Sequence, residues 1–207
     1  MPVIPTTTDA LVARVVELVV ARPGRLRVVV DGAPATAPEQ LADALVGPLR
    51  AAGRPVLRVP ASGFWRPASV RLEHGRNDAL AYVEDWLDEG ALTREVLDPL
   101  APDGSGRYLP SLWDPVRDRA TRAPYEDAPP GAVLVVDGAT LLGRGLAFDV
   151  SVHLTVRPSN LQRRTPPDQA WTLEAFDLYE RRAEPGRVAD VVVHVDDPRH
   201  PAVVVSG

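Results

Sequence analysis

The sequence predicts an α/β domain built on a mostly parallel sheet of five strands. Two observations carry this reading. Short runs rich in Val and Leu alternate with segments of helical periodicity, and the clearest strand, AVLVVDG at 132–138, is apolar on both faces. Alternation of this kind lays strands side by side in parallel, joined by crossovers. A strand apolar on both faces belongs inside a covered sheet. With 207 residues, the chain is long enough to build one such domain with a substantial core.

The elements follow in order. TDALVARVVELVVA (8–21) repeats apolar positions at helical spacing, with Thr8 or Asp9 as cap and Pro23-Gly24 as stop, so an N-terminal helix is expected within 1–24. A strand at 26–30, a helix at 37–52 ending at Gly53 and a strand at 55–59 come next. A Gly-, Pro- and Arg-rich loop spans 60–77, followed by helical patterns at 78–88 and 90–98. Residues 101–131 are rich in Pro and Gly and read as a connector to the strand at 132–138. A strand at 148–156, a short Arg-bearing segment, a helix at 171–182 and a strand at 189–195 complete the pattern. Within 171–182, Trp171, Ala175 and Leu178 share one face with Phe176 and Tyr179 beside them, which is the pattern of a helix packed on a core. No internal repeat or long linker divides the chain, and a single domain over 1–207 is expected.

Composition narrows the function. The absence of cysteine excludes disulfides and thiolate metal sites, and His74, His153, His194 and His200 show no ligand spacing. No segment approaches the roughly 20 apolar residues of a membrane span, and no basic, then apolar leader opens the chain. A cytoplasmic protein without a membrane partner is expected. The net charge of −5 argues against a general nucleic-acid surface. All 23 basic residues are arginine, a bias that fits a high-GC source.

RVVVDGAPATAPEQLADAL (27–45) has the strand, loop and helix layout of a phosphate-binding G-x-x-x-x-G-K-[ST] motif. Gly32 opens the frame, but Ala37 stands at the second glycine, Pro38 at the lysine and Glu39 at the hydroxyl. Pro38 offers neither N–H nor charge, and Glu39 puts a carboxylate where phosphate oxygens would lie. Thr36 and Glu39 have the spacing of a capping box that would satisfy the helix N-terminus without an anion. An ordinary strand, turn and helix would also read this way.

Other segments complete a pattern. GFWRPASVRLEHGRN (63–77), DWLDEGAL (85–92), LDPLAPDGSGRY (97–108), VLVVDG (133–138), FDVSVHL (148–154) and RVADVVVHVDDPRHP (187–201) occur in an order and spacing that resembles the uridine kinase branch of the P-loop nucleoside kinases, of actinobacterial type. The resemblance covers roughly residues 25–203. It implies a three-layer α/β/α sandwich of the P-loop NTPase kind, with a lid-like region at about 158–185. It also implies ATP and Mg²⁺ as cofactors and a nucleoside as substrate. The departures fall on the chemistry. The family's general base precedes the Gly-Phe of the substrate loop, where this chain has Ser62, and its following His is Trp65.

The resemblance makes Phe64, Trp65, Arg66, Arg71 and Arg76 candidate ligand contacts, Arg163 and Arg164 candidate lid residues, and Asp137 a candidate catalytic group. Asp137 with Gly138 would equally form the turn after a buried strand, and Asp31 is a weaker candidate of the same kind. His153 reads as a core histidine. The expected function is that of a uridine kinase-like pseudokinase that binds a nucleoside-like ligand without cofactor. Two alternatives are a divergent enzyme using a reworked pocket and a non-catalytic partner subunit. A homodimer is among the expectations.

Overall fold

The structure is a computed structural model that describes residues 3–204. Among them, seven strands form one sheet: β1 (Val3–Pro5), β2 (Leu26–Gly32), β3 (Val56–Pro60), β4 (Val133–Gly138), β5 (Val150–Thr155), β6 (Val191–His194) and β7 (Ala202–Val204). Their order across the sheet is β1-β7-β6-β5-β2-β4-β3. The five expected strands are the parallel ones, and β7 and β1 extend the β6 edge antiparallel. The expected sheet of five therefore becomes seven. β1 and β7 are three residues each, too short to show alternation, and exist by pairing with an edge already formed.

Helices cover both faces. On one lie α1 (Thr8–Val20) and α2 (Pro38–Ala51), whose Val15, Val19, Leu41, Leu45 and Leu49 pack on Val28, Val30, Val133, Val135 and Val152. On the other lie α3 (Ala79–Glu84) and α5 (Thr172–Ala183), with α4 (Pro158–Arg164) preceding α5 in sequence. Here Tyr82, Val83, Ala175, Phe176 and Tyr179 pack on Val29, Leu134 and Val136. Every residue of β2 is buried, as a strand covered on both faces requires. No helix among the described residues is long and apolar enough to cross a membrane.

Several boundaries move for tertiary reasons. The cap of α1 is Thr7, whose hydroxyl accepts the Ala10 N–H at 3.2 Å, instead of Thr8 or Asp9. The helix expected over 78–88 stops at Glu84, because Trp86 O accepts the Arg66 N–H (2.9 Å) and the Asp88 N–H donates to Phe64 O (2.9 Å), which bridges this segment to the Arg-rich loop. The 90–98 segment is Glu89–Leu92 followed by a wider π-type turn over Thr93–Leu97. The 101–131 connector carries two small hairpins, Arg107–Tyr108 with Glu126–Asp127 and Trp113–Asp114 with Arg119–Ala120.

Candidate functional site

The parallel strands end together at Gly32, Pro60, Gly138 and Thr155, the side of such a sheet that receives ligands. The loop after β2 is closed upon itself. Thr36 N–H donates to Ala33 O (2.8 Å), Ala37 N–H to Pro34 O (3.0 Å) and Gln40 N–H to Ala37 O (3.1 Å). Pro34 and Pro38 carry no N–H, so few donors remain that could face an anion. The capping box expected of Thr36 and Glu39 does not form. The Thr36 hydroxyl donates to Ala33 O at 2.7 Å, and the residue that caps α2 is Ala37, held at φ 56° in the left-handed region. Gly32 permits this packing, since a Cβ there would collide with the Thr36 hydroxyl and come within 2.9 Å of Leu154 O.

Asp137 stands at the end of β4 with 8 % of its surface exposed, on the sheet face covered by α2. Arg58 lies 2.8 Å from its Oδ1, in a geometry off the hydrogen-bond direction, so that oxygen is paired in charge but without a directed donor. Arg58 is also held by Asp43 (3.0 Å) and by Val135 O (2.9 Å). Asp137, Glu39, Ser62 and Trp65 line a cavity of about 200 Å³ between the loop and the Arg-rich segment. No arginine lines it, and two carboxylates do.

The Arg-rich loop divides into buried and open parts. Phe64, expected at the ligand, is 0 % exposed and belongs to the core. Arg71, expected beside it, is also buried. Its guanidinium stacks on Trp86 (4.9 Å) and Trp65 (5.4 Å), donates to Arg66 O (2.7 Å) and lies 3.6 Å from Asp118. Asp118 in turn accepts the Ala68 N–H and the Trp113 indole, fastening the second hairpin to the loop. Arg71 is a structural cation here, because its charge is spent on aromatic faces and internal acceptors. Arg66 is half-buried, 3.9 Å from Asp85, and Arg76 is exposed.

The larger opening lies elsewhere. A cavity of about 590 Å³ sits between the ends of β2 and β5, α4 and α5, lined among others by Leu154, Leu161, Leu173, Phe176, His153 and Glu180. Parallel register sets Asp31 opposite His153 on adjacent strands, both facing α5. Asp31 is wholly buried and accepts three donors: Leu141 N–H (2.8 Å), His153 Nδ1 (2.7 Å) and the Tyr179 hydroxyl (3.1 Å). His153 Nε2 meets Glu180 Oε1 at 3.1 Å. Burial pulls the His153 pKa down, but its hydrogen bonds to Asp31 and Glu180 outweigh that and raise it to about 9, so the imidazolium persists at neutral pH. Burial, reinforced by the Asp31 charge, drives the Tyr179 phenol far up and that of Tyr82 to about 12. His153 is thus buried, as its strand position suggests, yet it is an ion-paired cation at a cavity wall. The sequence signal was an Asp and a His near the ends of two apolar strands. The register that joins them and the approach of Glu180 were not visible in it.

No family model and no curated protein sequence matches the chain. Solved structures do. A possible uridine kinase from Bacillus stearothermophilus is 22 % identical with a TM-score of 0.73, over 89 % of this chain and 97 % of that one. A candidate fructose transport system kinase from Silicibacter sp. TM1040 is 25 % identical with a TM-score of 0.64, over 89 % and 95 %. This is a uridine kinase-like P-loop fold. Residues 158–185, for which the sequence raised the expectation of a lid, hold α4 and α5. Arg164 donates to Val195 O (2.9 Å) and Asp196 O (2.6 Å), tying α4 to the end of β6, whereas Arg163 is exposed. The kinase frame would call for ATP and Mg²⁺ at the β2–α2 loop. The residues there do not fit them, since the Thr36 and Ala37 N–H groups turn inward, Pro38 offers no N–H or charge, Glu39 opposes phosphate and Arg58 holds the Asp137 side chain.

Proposed function

We propose that this protein keeps the uridine kinase-like fold without ATP-dependent phosphotransfer and serves to bind a small, nucleoside-like molecule. The observation that carries the reading is the closed β2–α2 loop, whose Thr36 and Ala37 N–H groups are spent on Ala33 and Pro34 carbonyls. Phosphoryl transfer depends on such donors and a cation held against the transferring group. Ser62 supports the same conclusion, as a neutral hydroxyl in place of a general base. The open cavity of about 590 Å³ favours a ligand binder over a purely structural subunit, for which a filled pocket would be expected.

Titration calorimetry with ATP·Mg²⁺ is expected to give no saturable heat. A low-micromolar Kd that disappears in Asp137→Ala would overturn the reading. A second test rebuilds the loop as Ala37→Gly, Pro38→Lys, Glu39→Thr, with and without Ser62→Asp. If the base is missing at residue 62, uridine phosphorylation in the Asp-bearing version should exceed the other by about 10²- to 10⁴-fold. Equal rates would place the base elsewhere.

A further inference from the structure

The 590 Å³ cavity has an uneven chemistry that the closed loop does not explain. Its walls are largely apolar, with Leu154, Val156, Leu161, Leu173 and Phe176 around one body-sized space. At one end the polar groups are mostly spent. Both nitrogens of His153 face carboxylates, and the Tyr179 hydroxyl accepts the Leu142 N–H (2.9 Å) while donating to Asp31. The charged group that remains is the Glu180 carboxylate, half exposed, with His153 on one oxygen only, while the Gln162 amide and Thr155 hydroxyl add neutral polar groups to the lining. Asp177 also lines the cavity and is paired to Arg181 along the helix. No arginine lines the cavity, and the sequence contains no lysine. Asp31, His153 and Glu180 together leave one net negative charge facing the opening, which disfavours phosphate and favours a cation.

We propose that this cavity binds an organic ammonium ion, an apolar or aromatic body among Leu161, Leu173 and Phe176 with its charged amine against Glu180. Apolar walls supply most of the affinity, and the Glu180 carboxylate supplies the selection by charge. The inference rests on the reading of the protein as a small-molecule binder but does not require that its ligand be a nucleoside.

The test is calorimetry with phenethylamine and its neutral counterpart 2-phenylethanol, beside uridine and cytidine. Phenethylamine is expected to bind about tenfold more tightly than the alcohol, with the preference shrinking as salt is added. Glu180→Gln should abolish that preference while leaving the alcohol unaffected, and Leu173→Trp, which fills the space, should abolish binding of both. Equal binding of amine and alcohol, or a preference that survives Glu180→Gln, overturns the proposal. If Glu180→Gln does not fold, the amine-to-alcohol ratio on the unaltered protein and the Leu173→Trp variant still decide. Nucleosides that bind where phenethylamine does not would sink the ammonium site and leave the nucleoside reading standing. The opposite pattern would remove the nucleoside reading alone.

Discussion

Two acidic residues end neighbouring strands, and their surroundings differ. Asp31, at the end of β2, faces α5 and accepts three donors, one of them a buried imidazolium. Asp137, one strand over on β4, faces α2 and is matched only by Arg58, which it shares with Asp43. Strand alternation sends the two carboxylates to opposite faces of the sheet, although both sit at its ligand-receiving edge. The comparison teaches that Asp137, the carboxylate the sequence marks as a candidate catalytic group, is lightly held, whereas the heavily bonded Asp31 organises the cavity wall.

The sharpest way to break this contrast is to remove each side chain in turn. Asp31→Ala should cost about 3–5 kcal/mol, because it leaves His153 buried without its main partner and the Leu141 N–H unsatisfied. Asp137→Ala should cost about 1–2 kcal/mol, since Arg58 keeps Asp43 and Val135 O. Urea unfolding of both variants measures the difference, and equal losses would erase the distinction.

The pH dependence sharpens it further. The pKa of His153 in the folded state is raised from 6.5 to about 9, so its stabilising contribution is fully present below pH 6.5 and is lost as pH rises toward 9. The loss should be on the order of 3 kcal/mol across that window. Unfolding curves between pH 6 and 9.5 should show this slope in the natural protein and not in His153→Gln. A flat profile in the natural protein would mean that the imidazole is neutral and that the cavity wall carries a different charge from the one argued here.

The smallest effect concerns the closed loop. Ala37 occupies the left-handed region at φ 56°, where a Cβ costs roughly 1–2 kcal/mol and glycine does not. Ala37→Gly should therefore stabilise the protein by up to about 1 kcal/mol after the extra freedom of glycine in the unfolded chain is subtracted. A destabilised variant would show that the loop tightens around Ala37 by packing instead of tolerating strain.

Much of this molecule was legible from residues alone. Val-rich runs at 26–30, 132–138 and 148–156 had to be covered strands, and the 37–52 and 171–182 periodicities had to be helices packed on them, because burial of apolar stripes leaves little choice. Pro38 and Glu39 by themselves argued against a phosphate cradle, since their chemistry does not depend on context. Only the tertiary structure decided the rest. The strands at Val3–Pro5 and Ala202–Val204 are too short to declare themselves and form by pairing across nearly the whole chain. Arg71 reads in sequence as a ligand-seeking cation and becomes a buried one, because Trp65 and Trp86 arrive from separate segments and both pack against its guanidinium. The partnership of Asp31, His153 and Glu180 joins residues 27 to 149 positions apart. It exists through strand register and the seating of α5 on the sheet, long-range geometry that local periodicity does not encode.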